Sequence, residues 1–415
     1  MKCFNHSCQG EGHKASDKEC QDYSLTWQNE DKSITIAVVC DGHGSDSYFR
    51  SAVGARLAAE ITKEQLRQFV IDVDSSTTLQ ELFIGLPFTA IGIQNTVELE
   101  SKLNSIMRRL FESIYSLWRE AITKDGQREL TDWEKEHVET KYISLLDDNE
   151  HIVKVYGCTL MAYVCTSHYW FAFHIGDGKM IMLDSKFEFS QPVPWDEKCF
   201  LNKTTSLCES EPIKDFRFCV EGDGNFPVAV FLGSDGLDDS YGDGPKLNSF
   251  YGGIVKELSL KGQNAVEEML KEDLPKISKI GSQDDMSVAV VYDENEIAEA
   301  AISINEYQKK LLMTQISELE QKLKEKKAFV DKTHELEASV PTRSKLDEMF
   351  NKIQELERLI LGSRKEYDSA KKIFETTDIE KMKVEARMAE KEMAREVLQL
   401  ERLQERLNQL ELFTL

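Results

Sequence analysis

Five consecutive apolar residues, Ile36 to Cys40, run straight into Asp41-Gly42-His43-Gly44. An apolar, partly β-branched run of this kind is a strand buried on both faces, so the rest of the chain has to cover it on two sides. It ends on an acid, and an acid at the mouth of a buried strand is costly unless something pairs with it. Glycines on both sides of His43 let the backbone turn sharply and bring a carbonyl close to a ligand. An Asp, an exposed carbonyl and a His within three residues suit a hard cation such as Mg²⁺ or Mn²⁺. An ordinary turn closed by an Asx hydrogen bond is the alternative.

The chain has 415 residues, enough for more than one domain, and its hydrophobic share of 41% supplies a sizeable core. Its apolar runs fall far short of a membrane span, and MKCFNHSCQGEGH at the start lacks an apolar signal region. Nine scattered cysteines predict a reduced, cytoplasmic chain, and Cys3, His6, Cys8 and His13 fit no standard zinc-finger spacing. Residues 301–415 hold 22 basic and 23 acidic side chains, which leaves 29 basic and 51 acidic in the first 300. A body that acidic argues against nucleic acid and anionic membrane as partners. The charge shift predicts a boundary between a domain at 1–297 and a second at 298–415.

Read in order, Tyr23, Leu25 and Trp27 alternate with polar residues as a strand does. A helix is expected over 48–70, capped by Ser45 or Asp46, with Val53, Leu57 and Ile61 on one face. Leu99, Leu103, Ile106, Leu110, Ile114 and Leu117 predict a long amphipathic helix over 96–123. Thr131 and Glu134 form a capping-box signal for a helix over 132–148. Strands are expected over 159–165 and 169–175, joined at Thr166-Ser167-His168, then over 179–183, 215–220 and 228–232. Helices over 248–258 and 264–276 precede a last buried strand, 286–292.

Acids therefore stand at four strand ends: Asp41, Asp177, Asp235 and the pair Asp284-Asp285. One such acid is a turn residue, but four flanking apolar strands suggest carboxylates converging on one place. Clustered carboxylates repel and raise each other's pKa unless cations neutralise them, and a pair of divalent ions resolves the conflict.

The order of motifs resembles the metal-dependent protein phosphatases of the 2C type. The residues are Cys20-Gln21-Asp22, VVCDGHGS ending at Ser45, GCTLMAYV from Gly157, HIGDGK from His174, NKTTSL from Asn202, FLGSDGLDDS from Phe231 and SQDDMSVAVV from Ser282. The bacterial branch, with its Cys-Gln-Asp opening, is the most similar. The resemblance implies an α+β fold, a four-layer α-β-β-α sandwich of two antiparallel sheets flanked by helices. It implies that Asp41 bridges two Mn²⁺ or Mg²⁺ ions, that Asp235 and Asp284 complete the first, and that the Gly42 carbonyl serves the second. Asp177 matches the acid that holds a third, looser ion, His43 falls where the family places its general acid, and Asp22 matches an acid that orients the attacking water. The implied reaction is hydrolysis of phosphoserine and phosphothreonine by a hydroxide shared between the two ions.

Three departures stand out. Gln21 replaces a Glu found in many members, Asp285 stands where Asn is usual and is expected to restore that charge, and no arginine precedes Gln21 to grip the phosphate. Lys14, Lys18 or His13 is the expected substitute. Gln21 and the missing arginine favour the competing reading, a weak or inactive phosphatase-fold module that works as a phospho-signalling scaffold through its tail.

That tail carries heptad spacing at Leu312, Ile316, Leu319 and Leu323, at Leu346, Met349, Ile353, Leu356 and Ile360, and near the end at Met393, Val397, Leu400, Leu407 and Leu410. Pro341 interrupts it, and Thr377 to Glu380 is a capping box for a third segment. The tail is expected to be a helical coiled coil, either folded on itself or paired with a second copy or a partner helix. The expected partners are a phosphoprotein substrate and a Ser/Thr kinase that opposes the reaction.

Overall fold

The computed structural model describes residues 1–84, 93–200, 203–222, 224–242, 244–356, 363–376 and 379–412. Asn202, Ile360 and Thr377 lie outside them. Among the described residues ten strands are formed: β1 (Lys2–Cys8), β2 (Tyr23–Gln28), β3 (Thr35–Cys40), β4 (Leu160–Cys165), β5 (Trp170–Ile175), β6 (Lys179–Leu183), β7 (Phe189–Ser190), β8 (Arg217–Glu221), β9 (Ala229–Gly233) and β10 (Met286–Tyr292). They make two five-stranded sheets, ordered β1-β10-β9-β6-β7 and β2-β3-β4-β5-β8, antiparallel throughout.

The apolar run that opens the sequence analysis is β3, and every one of its residues is buried. Its alternation explains why. Ala37 and Val39 point into the space between the sheets, where they meet Met161, Tyr163 and Ala172 of their own sheet and Val230, Leu232, Ala289 and Val291 of the other. Ile36, Val38 and Cys40 face the opposite way, into helices. β1 escapes the sequence reading because its inner side is polar: the Ser7 hydroxyl lies 2.7 Å from that of Ser24 and 2.6 Å from that of Ser287.

The helices in the first part of the chain are α1 (Glu11–Ala15), α2 (Ser51–Asp74), α3 (Thr77–Ile84), α4 (Ile93–Gly126), α5 (Asp132–His137), α6 (Thr140–Ile143), α7 (Ile152–Val155), α8 (Asp235–Tyr241), α9 (Gly244–Lys261) and α10 (Gln263–Ile280). α2 and α4 cover the sheet that contains β3, with Ala55, Ala58, Ala59 and Leu66 against Met107, Phe111 and Trp118. α9 packs on the other sheet, where Tyr251 stacks on Phe231 with centroids 4.5 Å apart. The result is the four-layer α-β-β-α sandwich.

Two helix expectations shift. The chain turns through a 3₁₀ segment, Asp46–Tyr48, before α2 begins at Ser51, and neither Ser45 nor Arg50 caps with its side chain. The buried face of α4 is rotated from the predicted stripe, because Met107, Phe111, Trp118 and Ile122 claim the core while Leu117 is 36% exposed. The capping box forms as expected: Thr131 Oγ1 accepts from Glu134 N–H at 3.1 Å, and Glu134 Oε2 accepts from Thr131 N–H at 2.7 Å. Its helix stops at His137 instead of reaching 148, because Val138 is extended and α6 starts anew.

Glu134 does more than cap. Arg50, fully buried at the head of α2, donates through Nε to Glu134 Oε1 at 2.6 Å and through Nη1 to the Tyr156 hydroxyl at 2.9 Å and the Asp125 carbonyl at 3.1 Å. Arg128 donates to Glu134 Oε1 at 2.9 Å. Burial pushes the Glu134 carboxyl up, but the bonds from Arg50, Arg128 and Thr131 outweigh it and hold it at about 2.

By contacts the chain divides into two compact units, Met1–Ser303 and Ile304–Leu415. The second is helical: α11 (Ile297–Ser339) enters it, followed by α12 (Arg343–Leu356), α13 (Ser363–Thr376) and α14 (Ile379–Leu412). Lys326 pairs with Glu392 at 2.8 Å and Glu396 at 3.0 Å, and Glu337 pairs with Lys383 at 3.0 Å. Residue numbers rise along α11 as they fall along α14, so the two helices run antiparallel. Leu312, Leu319, Val330, Leu346 and Ile353 are buried in this unit.

The Arg50–Glu134 pair generates the first prediction. Arg50→Met or Glu134→Leu strips a partner from a buried ion and is expected to cost about 3–5 kcal/mol, with the double variant costing less than the two singles added. Because the folded-state pKa of Glu134 is depressed, its contribution is complete above about 4.5 and disappears as pH falls through about 2. Urea titrations of wild type and Glu134→Leu across that window should converge at the acid end; parallel curves at every pH would contradict this account.

Candidate functional site

β3 delivers Asp41 to one end of the sandwich, and the segment before β4 fixes it there. Asp41 N–H donates to Thr159 Oγ1 at 3.0 Å, the Asp41 carbonyl accepts from Thr159 N–H at 2.8 Å, and His43 N–H donates to the Gly157 carbonyl at 3.1 Å. Gly42 sits between these bonds, so close to the Gln21 carbonyl that a Cβ would come within 2.6 Å of it. Only glycine fits that approach.

β9 of the opposite sheet ends beside it. Ser234 is bonded to Ser287 of β10 in both directions, at 3.1 Å and 2.9 Å, and Asp235 opens α8. The Asp41 and Asp235 carboxyls act directly on each other, close enough that a hydrogen bond between them needs a proton on one of the two. Burial, Asp235 and Asp22 drive Asp41 well above the usual carboxylate range. Burial, opposed by the bond from Asp41 and aided by Asp177 and Asp284, leaves Asp235 pushed up to about 6. Asp22 at the mouth of β2 is buried, hydrogen-bonded to Ser234, and likewise raised by burial and then by Asp285 and Asp235; its Oδ2 has no partner. Asp177, in the turn after β5, is raised by burial, with Asp239 adding to the shift against a hydrogen bond from Thr204. Asp239, on α8, was missed in the motif reading because it sits mid-helix; burial, Asp238 and Asp284 raise it too.

The adjacent acids Asp284 and Asp285 have different environments. The Asp284 side chain is 53% exposed at the rim. Asp285 is buried, and both its oxygens are occupied: Oδ1 accepts from Gly10 N–H and Oδ2 from Gln21 N–H, each at 2.6 Å, while His13 Nδ1 stands 2.8 Å from Oδ2. Burial pushes this carboxyl up, but the bonds from His13, Gly10 and Gln21 prevail and hold it below the ordinary value. Asp285 is thus a clamp on the N-terminal segment, and its ionised carboxylate stands against the Gln21 backbone and raises Asp22. Gly10 is required by the same contact, since a Cβ there would meet the Asp284 carbonyl carbon at 2.3 Å.

The clamp also takes His13 out of the running as a phosphate-gripping residue. Lys14 pairs with Glu11 at 3.7 Å. Lys18 is the cation beside the turn, with Nζ donating to the Gly44 carbonyl at 2.8 Å and to Asp46 at 3.2 Å. His43 packs edge-on to Tyr48, centroids 4.7 Å apart, and burial alone lowers its imidazole to about 4. The structure brings Asp22, Asp41, Asp177, Asp235 and Asp284 into one electrostatic cluster, whereas no carboxylate offsets the burial of His43.

Among the described residues no three His, Cys, Asp or Glu side chains form a ready cage for one ion. The donor set nevertheless fits hard divalent cations. The groups acting most strongly on Asp22, Asp41 and Asp235 are other carboxylates, one buried oxygen of Asp22 is orphaned, and the Asp41–Asp235 pair needs a proton or a cation between its oxygens.

The family described as Protein phosphatase 2C matches residues 9–274, more than half of the chain. Similar solved structures include a bacterial serine phosphatase (12% identity over 71% of this chain and 99% of that one, TM-score 0.40). Others are the S. agalactiae serine/threonine phosphatase (16%, 70% and 98%, TM-score 0.39) and the serine/threonine phosphatase Stp1 from Staphylococcus aureus (13%, 71% and 95%, TM-score 0.40). No match was found among curated proteins.

The acid cluster predicts opposite effects with and without cations. In chelator, Asp41→Asn should raise the melting temperature, because an amide needs neither the proton uptake nor the buried charge that folding imposes on the Asp41 carboxyl. In Mn²⁺ the wild type should gain several degrees and Asp41→Asn or Asp235→Asn little or none. Thermal scans of the three proteins in the two buffers decide it; an equal Mn²⁺ shift in all three would show that the ion binds elsewhere.

Proposed function

The chain belongs to the protein phosphatase 2C family, and on that footing we propose that it hydrolyses phosphoserine and phosphothreonine in protein substrates with Mn²⁺ or Mg²⁺. The observation that carries this reading is the convergence, from both sheets, of buried and half-buried acids whose mutual repulsion no cation among the described residues answers. Asp41, Asp235, Asp284 and the Gly42 carbonyl are the groups that would hold two ions, with Asp177 and Asp239 available to a third. Bound there, the ions supply Lewis acidity and neutralise charge on the phosphoryl oxygens.

The chain's own groups do the rest. Asp22, with its orphaned oxygen, is the acceptor that orients an attacking water. Lys18 at the rim offers the positive charge that an arginine gives in many members, though it reaches substrate only by leaving the Gly44 carbonyl and Asp46. His43 is the candidate proton donor to the departing alkoxide. Its buried imidazole is neutral at pH 7 in the free chain, so a phosphate dianion beside it must supply the attraction that burial removes. The engagement of Lys18 and the presence of Gln21 favour the second reading, a slow or silent phosphatase fold serving as a scaffold. The antiparallel tail is proposed to dock a partner helix or a second copy, an opposing Ser/Thr kinase is the proposed functional partner, and nine free cysteines fit a reducing, cytoplasmic setting. No helix among the described residues is long and apolar enough to cross a membrane.

Hydrolysis of a phosphothreonine peptide should require Mn²⁺ or Mg²⁺ and fall by more than a hundredfold in Asp235→Asn; undiminished turnover in excess chelator would end the metal-dependent reading. His43→Ala should slow phosphothreonine peptides far more than aryl phosphates, since a nitrophenolate leaves without a proton. Equal losses on both substrates would make His43 a structural residue.

A further inference from the structure

Beside the Asp41–Gly44 turn lies a groove of about 440 Å³. Its walls come from the segment before Asp22, the 3₁₀ turn and head of α2, and the segment that carries α5. The volume lies in the range of side-chain and small-ligand sites.

The lining has a distinctive balance. Phe49, Val53, Trp133 and Val138 make an apolar wall. The three cations that reach it are each neutralised from within: Lys18 by Asp46 and a carbonyl, Arg50 by Glu134, and Arg128 by Glu134 and Asp125. The acceptors are not. Gln21 is 6% exposed and its Oε1 has no hydrogen-bond partner. Asp17 and Glu19 have no ion pair among the described residues. Burial pushes the Glu19 carboxyl up even with Arg128 acting against it. A pocket that combines an aromatic wall with unmatched acceptors asks for a donor-rich cation with a flat apolar face.

Arginine has that shape. Its guanidinium stacks on an indole and forks onto carboxylate and amide oxygens, which an ammonium does less well. The acidic excess of the first 300 residues favours a basic ligand in the same sense. The inner end of the groove is the catalytic turn itself, since Gln21 Oε1 lies 3.7 Å from where a Cβ on Gly44 would be. We propose that the groove seats an arginine side chain close in sequence to the phosphorylated residue, so that the preferred substrates are basic phosphopeptides. This rests on the phosphatase reading for the identity of the ligand, and the groove makes its own prediction about which peptides bind.

The test is fluorescence anisotropy with the full chain in Mg²⁺, using labelled peptides whose threonine is thiophosphorylated to resist turnover and whose flanking positions carry Arg, Ala or Glu. Wild type should bind the Arg peptide at least tenfold more tightly than the Glu peptide. Glu19→Gln, a loop substitution with no packing cost, and Trp133→Ala should each cut that ratio to threefold or less. Equal affinities in wild type, or a preference that survives both substitutions, would overturn the proposal, the latter assigning it to the acidity of the whole body. Aryl phosphate turnover is measured separately: its absence with the Arg preference intact would count against catalysis and leave the groove standing.

Discussion

Like charge confined to a small volume is the condition around which this fold is arranged. Two unit charges 4 Å apart near a protein surface repel by roughly 4 kcal/mol, and here several carboxylates meet at one end of the sandwich. Each is brought there by an element that has another reason to exist: β3 because its residues are apolar on both faces, β9 and α8 because Ser234 and Ser287 tie the sheet together, and the turn after β5 because β6 must return beside β9. The core thus fixes the positions of the acids, and the acids cannot relax apart without unravelling the core. Protonation of Asp41 against Asp235 is the response open to the chain on its own.

The neighbouring acids Asp284 and Asp285 show how finely burial divides labour. They share a turn and a chemistry, yet one is half exposed and faces the cluster while the other is sealed against Gly10, Gln21 and His13. A carboxylate that accepts two backbone N–H groups is held ionised. That clamp also sets the position of Gln21 and Asp22, so the N-terminal segment and β2 enter the site already anchored to the far end of the domain.

Much of this was legible in the sequence where a local rule agreed with the tertiary outcome. β3 announced itself because burial on both faces leaves a continuous apolar run, and the Thr131–Glu134 box formed because both partners lie within one turn. The acids Asp41, Asp177, Asp235 and Asp284 were recognisable from the apolar strands they end. What the sequence hid depended on distant partners. β1 carries Ser7, whose hydroxyl meets those of Ser24 and Ser287, so its alternation looks polar. The core face of α4 is chosen by Trp118, whose indole N–H donates to the Gly54 carbonyl at 3.0 Å, and not by the leucine stripe alone. The duty of Asp285 could not be told from that of Asp284, because the three groups that occupy it lie more than 260 residues away.

The ion pair between Arg50 and Glu134 has a consequence for how such a domain can change over time. One partner stands just behind the Asp41–Gly44 turn; the other belongs to the α5 segment, which lines the groove beside it. Each keeps a further partner without the other: Arg50 still donates to Tyr156 and the Asp125 carbonyl, and Glu134 still accepts from Arg128. What would be lost is the shortest bond between the head of α2 and the α5 segment. An exchange of either segment alone would leave a buried charge short of a partner, so changes at the two positions are expected to come together.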